Sequence, residues 1–163
     1  LLSKLWDFRA EGLATNFEEM MMNAGILDDH PRARELTWIL LAFRAARGIG
    51  GLMLHSGDFT LEEAMDFGSR YTPRGFAAPE SGMLYGDYAL YLSQPGYGTS
   101  YVVGKAQLDK LIAEKRMQQG EEFKLKDFLD DYFSRGVIPA SLLYWEMTGK
   151  DNPVRTCKLS TPL

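Results

Sequence analysis

Cysteine is almost missing: Cys157 is the only one in 163 residues. This excludes an intrachain disulfide framework and a cysteine-built zinc site. Cys157 stands in a polar tail and reads as an inert free thiol. Histidine is nearly as scarce, with His30 and His55 alone. Neither has a second histidine four residues on, so this chain holds no HExxH metal face. An excess of positive charge is also lacking. The formal net charge is −4 and the pI near 5.2, which argues against nucleic acid as a partner, because phosphate neutralisation needs a basic face. Uninterrupted apolar runs fall short of a membrane span, and the pattern of a signal peptide is absent. Strand-like alternation, internal repeats and low-complexity segments are missing too. So is a start methionine. The chain opens at Leu1 with Leu1, Leu2, Leu5 and Phe8 already at helical spacing, which implies a fragment or a processed product. The compartment cannot be read from this end.

What is present is one domain's worth of helix. Apolar residues make up 45% and charged residues 25%, the balance of a folded globular chain, and a chain this long buries roughly 70% of its extended surface. Helical periodicity predicts a first helix from about Ser3 to Asn23, stopped near Gly25. Asp28-Asp29-His30 then turns into a long helix from Pro31 to about His55. Gly48, Gly50 and Gly51 inside it each cost about 1 kcal/mol against alanine, so they imply a tight backbone approach, a kink or a break. Thr60 with Glu63 makes a capping box for a short helix. Residues 72 to 81 read as loop. Further helices are expected over about Glu80–Leu92, Thr99–Gln118, Phe123–Phe133 and from Pro139 to Met147. The expected class is all-α, with six or seven helices over residues 1–149 and a loose polar tail over 150–163.

Three places carry candidate chemistry. Glu11 and Glu18 lie two helical turns apart and share a face, separated by about 10 Å of rise. The plain reading is a solvated acidic face. Trp6, Phe8, Leu13 and Phe17 around them favour a cleft, where a carboxylate needs a cation or donors to stay ionised. His30 reads as an exposed cap. His55 ends a long apolar helix, where the helix dipole favours its charged form, and read alone it is structural. Tyr97 and Tyr101, at i and i+4 after the Pro95-Gly96 break, share one face at a helix start. They either pack or present phenols to an anionic or carbonyl oxygen. Arg32, Arg34, Arg44 and Arg47 read as a solvated helix edge.

These pieces line up in order with one family. EGLATNFEEMMMNAGILDDHPRARELTW from Glu11, FRAARGIGGLMLHSGDFTLEEAM from Phe43, YLSQPGYGTSYVVGK from Tyr91 and FKLKDFLDDYFSRGVIPASLL from Phe123 follow one another. The chain resembles the C-terminal part of the bacterial domain-of-unknown-function family 885 from about Asp7 to Gly149. Members look like HExxH zinc metallopeptidases, distantly similar to thimet oligopeptidase and carboxypeptidase Taq. The resemblance implies the C-terminal half of a helical gluzincin-like fold. It implies Glu11 as a third zinc ligand with Glu18 as its supporting partner, and His55, Tyr97 and Tyr101 lining the site. It also implies an HExxH helix upstream of Leu1. The sequence departs from the family pattern at Leu13 for tryptophan, Leu90 for arginine, Tyr97 for glutamine and Leu129 for histidine, and Met53 and Leu54 stand where an aspartate is expected.

The functional expectation is a zinc-dependent hydrolase of peptide bonds in the full-length protein, with this chain inactive alone and no zinc expected in it by itself. The alternative is a helical scaffold or interaction module that has lost the chemistry, which Leu90 and Leu129 favour. If the first helix normally packs on a missing half, its apolar surface around Leu5, Phe8, Phe17 and Met20 to Met22 is exposed, and the chain self-associates, most simply as a twofold dimer.

Overall fold

The computed structural model of the chain describes residues 2–155. They form α1 (Leu2–Asn23), α2 (Pro31–Ser56), α3 (Leu61–Arg70), α4 (Met83–Ser93), α5 (Tyr97–Gln119), α6 (Leu125–Ser134), α7 (Ala140–Thr148) and α8 (Asn152–Arg155). Short 3₁₀ turns lie at Pro73–Gly75, Pro79–Ser81 and Gly120–Glu122. No strand occurs among the described residues, and the class is all-α. Among the described residues the helices number eight rather than six or seven. The extra one is a single turn in the tail that the sequence reads as loose. There the Val154 and Arg155 N–H groups both donate to the Asp151 carbonyl at 3.0 Å. Cys157 lies outside the described residues.

The helix ends follow from local chemistry. The Thr60 hydroxyl accepts from the Glu63 N–H at 3.2 Å, and the Glu63 carboxylate accepts from the Thr60 N–H at 2.7 Å, the reciprocal capping that the spacing predicts. Pro31 opens α2 behind an exposed His30, whose side chain makes no capping bond. At the other end Gly57 takes φ +79°, and the Gly57 and Asp58 N–H groups reach back to the Leu54 and Met53 carbonyls, as in a Schellman stop.

Of the three readings of the α2 glycines, close approach is the one found, and the helix runs through them unbroken. Gly48 abuts the Gly98 carbonyl, Gly51 abuts the Tyr91 ring, and Gly50 with Gly68 of α3 encloses the Tyr88 hydroxyl. The tightest crossing joins α1 to α5. A β-carbon on Gly12 would overlap the Gly104 backbone, and one on Gly104 would strike the Phe8 carbonyl.

α5 is the shared wall of two cores. On one side Phe43, Ala64, Ala77, Leu84, Tyr88 and Tyr91 bury together from α2, α3, α4 and the 3₁₀ loops. On the other, Leu108 and Leu111 of α5 pack with Phe128, Tyr132, Leu143, Tyr144 and Met147 of α6 and α7, joined by Leu13 and Met20 of α1. Each fully buried large side chain contributes about 1.5–3 kcal/mol.

Two expectations need correcting. The apolar face of α1, over the side chains that are described, is turned inward rather than left bare, and the Leu5 side chain lies outside them. Met22 is 2% exposed, Met20 joins the α5–α7 core, and Phe8, Phe17 and Met21 are half-buried. The reason is α5, which the Gly12–Gly104 crossing lets approach closely enough to cover that face. Trp6 is the exposed exception at 58%. α2, in turn, is long and apolar enough by length and composition to cross a membrane, with a mean hydropathy of 1.2. Looking for an unbroken apolar run misses this because Arg44 and Arg47 interrupt it. The core helix of a helical bundle has the same properties, and α2 packs here against α3, α4 and α5.

Candidate functional site

Gln94-Pro95-Gly96 ends α4 and starts α5. Proline cannot continue the helix, and Gly96, at φ +84°, takes the left-handed turn that caps α5. The helix begins at Tyr97, two residues before the expected Thr99, so Tyr97 and Tyr101 stand one turn apart on regular helix. Their rings meet edge-to-face at 5.7 Å and 78°. The Tyr97 hydroxyl donates to Oε1 of Glu11 across the α1–α5 interface. Glu11 is half-buried, so the carboxylate is neither in bulk solvent nor without a donor.

Glu18, two turns along the same face of α1, accepts both terminal nitrogens of Arg44 from α2 at 2.5 and 2.7 Å. This two-pronged geometry is the strong form of the pairing. The hydrogen bond to Glu18 holds the Arg44 guanidinium above its ordinary value. The same guanidinium lies 5.7 Å from the Tyr101 ring centre, and that of Arg47 lies 5.6 Å from it. Arg47 is 7% exposed and stacks on Phe43 at 3.9 Å. Its Nη1 is 2.5 Å from Oδ2 of Asp87 on α4. That contact is a charge pairing without hydrogen-bond geometry, since neither Asp87 Oδ2 nor Arg47 Nε has a hydrogen-bond partner.

The tyrosines are kept as donors. Burial first, and then the hydrogen bond to Glu11, holds the Tyr97 phenol far above its ordinary value. Burial raises Tyr101 as well, with the Tyr97 phenol pulling the other way. Tyr91, whose ring lies 6.0 Å from that of Tyr97, is also raised by burial, and its hydroxyl has no hydrogen-bond partner among the described residues. A protonated phenol donates and does not accept charge, so this layer suits an oxygen that carries or develops negative charge.

The residues singled out in the sequence do not all meet. Glu11, Tyr97 and Tyr101 are brought together, and Glu18 is linked to them through Arg44 and Tyr101. His55 stands apart. It is exposed, and its Nε2 is 2.9 Å from the Tyr91 carbonyl, near the end of α4. It borders a small cleft with Gly48, Leu52, Gly98 and Thr99. Among the described residues no three of His, Cys, Asp and Glu come together as a metal-binding group.

Sequence reasoning missed Arg44, Arg47 and Asp87. Arg32 and Arg34 do lie outward, and Arg34 pairs with Asp28 at 2.5 Å. Arg44 and Arg47 instead turn inward. The signal was available: Arg44, Arg47, Gly48 and Gly51 fall on one face of the helix, and paired glycines mark a face pressed against a neighbour. At the positions that depart from the family pattern, Leu129 packs against the α5–α7 core and Leu90 is 37% exposed.

No curated protein and no solved structure matches the chain. The family model described as "Bacterial protein of unknown function (DUF885)" matches residues 2–147, and the chain belongs to that family.

Proposed function

We propose that the full-length protein hydrolyses peptide bonds at a zinc-dependent site, to which this chain contributes Glu11 and a wall of tyrosines and arginines. The chain would then form the C-terminal half of a gluzincin-like metallopeptidase fold. The observation that supports this most is the placement of Glu11. Its carboxylate is half-buried, is held by the Tyr97 hydroxyl, and lies on a layer of phenols backed by two guanidinium groups. A solvated acidic face would have none of these.

The described residues do not make a zinc site by themselves. They offer one suitably held carboxylate, whereas catalytic zinc usually takes three protein ligands. On this proposal the histidine ligands belong to sequence outside this chain, and the chain alone binds no zinc and is inactive. Each residue's own task can still be stated. Tyr97 fixes the orientation of Glu11. Glu18 anchors Arg44 beside Tyr101. Tyr101, kept protonated by burial, offers a donor to a substrate carbonyl oxygen, and Arg44 and Arg47 lend positive potential behind it. His55, whose Nε2 lies at the Tyr91 carbonyl, would line the site from the α4 side of the tyrosine layer.

The test is cleavage of a quenched fluorescent peptide library by the full-length protein. Cleavage is expected, with Glu11→Gln removing it and Tyr101→Phe lowering kcat about 10²–10³-fold while KM changes little. Failure to cleave any peptide, or full activity in Glu11→Gln, would overturn the proposal. A second reading, a scaffold without chemistry, is favoured by Leu129, which is used for packing where the family pattern has a histidine. It predicts no cleavage and no loss of stability-independent function in Glu11→Gln.

A further inference from the structure

α2 is apolar on two opposite sides, and only one of them is covered. Its buried residues, among them Phe43, Ala46, Arg47, Gly50 and Gly51, lie on the side that packs on α3, α4 and α5. At about 3.6 residues per turn the opposite side carries Trp38, Leu41, Ala42, Ala45, Ile49 and Leu52. Of these, Trp38, Ile49 and Leu52 are exposed, and the other three are half-buried. The charged residues of this stretch, Arg44 and Arg47, pair inward with Glu18 and Asp87, so no charge interrupts the outer stripe. Only 39% of the helix's most apolar stretch is buried. A surface helix normally turns a polar face to water, and one that is apolar all round belongs in an interior.

The outer stripe is symmetric in side-chain size. Ala45 stands at its middle. Leu41 and Ile49 lie one turn to either side of it, and Trp38 and Leu52 two turns to either side. A second copy laid antiparallel about a twofold axis at Ala45 therefore brings alanine to alanine at the centre. Leu41 then meets the partner's Ile49, and Trp38 meets the partner's Leu52. Small residues at the centre permit a short interaxial distance, about 8 Å, and bulky ones close both ends. A parallel pair would set indole against indole at one end and leucine against leucine at the other, which splays the axes. Antiparallel pairing also opposes the two helix dipoles.

We propose that the outer face of α2 is a homodimer interface, in which α2 pairs antiparallel with α2 of a second copy about a twofold axis at Ala45. No residue of the Glu11–Tyr97 site lies on the stripe, so the proposal stands apart from the peptidase reading. Disulfide trapping tests it, with Cys157→Ser as the background. Ala45→Cys should give a covalent dimer under mild oxidation. Trp38→Cys alone should not, because its two copies would lie about 21 Å apart along the axis, and Leu52→Cys alone should not for the same reason. Trp38→Cys mixed with Leu52→Cys should link to each other. Trp38 and Leu52 are exposed, so these two variants read the register even if Ala45→Cys does not fold, which circular dichroism checks. Self-linking of Trp38→Cys would show a parallel or random pairing and overturn the proposal. So would a mixture of Trp38→Cys and Leu52→Cys that stays unlinked, or a folded Ala45→Cys that does. If sequence outside this chain covers the face instead, Ala45→Cys stays unlinked in the full-length protein, and the proposal is overturned there too.

Discussion

Tyr88 shows how a single side chain sets the properties of the α2–α3–α4 core. It is fully buried, and its hydroxyl sits between Gly50 and Gly68 with no hydrogen-bond partner. Removing an unsatisfied buried hydroxyl while keeping the ring should help the fold. Tyr88→Phe is therefore expected to stabilise the chain by about 1 kcal/mol at neutral pH, as measured by urea denaturation. The same residue gives an alkaline limit. Burial pushes the Tyr88 phenol up to about 12, against about 10 in the unfolded chain. The folded state thus holds this proton more tightly. Its contribution is complete below about pH 10 and is lost as the pH climbs towards 12. Tyr88→Phe should lessen that loss, leaving the parts due to Tyr91, Tyr97, Tyr101, Tyr132 and Tyr144, which burial shifts in the same direction. A variant as alkali-sensitive as the parent would contradict this. Sequence gives little warning of Tyr88. An aromatic at helical spacing reads as core, and only the small residues opposite it, far away in the chain, determine that its hydroxyl finds no partner.

Among the elements, α1 and α5 matter most, because their crossing sets the Glu11–Tyr97 contact. Gly12 lets the Gly104 backbone come into contact. Glu11 beside it then reaches Tyr97. The obstacle to a larger residue is backbone, which cannot rotate aside. Gly12→Ala is expected to cost about 1–3 kcal/mol, read as a lower denaturation midpoint at unchanged slope. It should also loosen the Glu11–Tyr97 contact, seen as a fall in the tyrosine titration range. Unchanged stability would mean that the crossing is looser than described. The helices were largely legible from the sequence. Periodicity, the Thr60–Glu63 box and the Pro95-Gly96 break placed them within a few residues. The inward turn of Arg44 and Arg47 was not, because a cation on a helix reads as solvated until its partners, Glu18 and Asp87, are known to face it from other helices. The covered face of α1 was hidden for the same reason: burial belongs to a pair of elements, and one stretch of sequence shows only half of it.

At the scale of the whole molecule, apolar surface remains on the outside of α2. Trp38, Ile49 and Leu52 are 49%, 49% and 53% exposed. They lie about three and four turns apart along one face of that helix. If the chain self-associates, this face of α2 is the apolar surface it would use. Sedimentation equilibrium should show concentration-dependent association of the chain that Ile49→Glu abolishes, and a monomer at high concentration would contradict it. The proposed role of Glu11 can be read by zinc titration of the full-length protein with and without Glu11→Gln. One tightly bound zinc per chain is expected, with a loss of affinity of at least about a hundredfold in the variant and unchanged helical content. Equal zinc affinity in the two proteins, or no bound zinc in either, would contradict it.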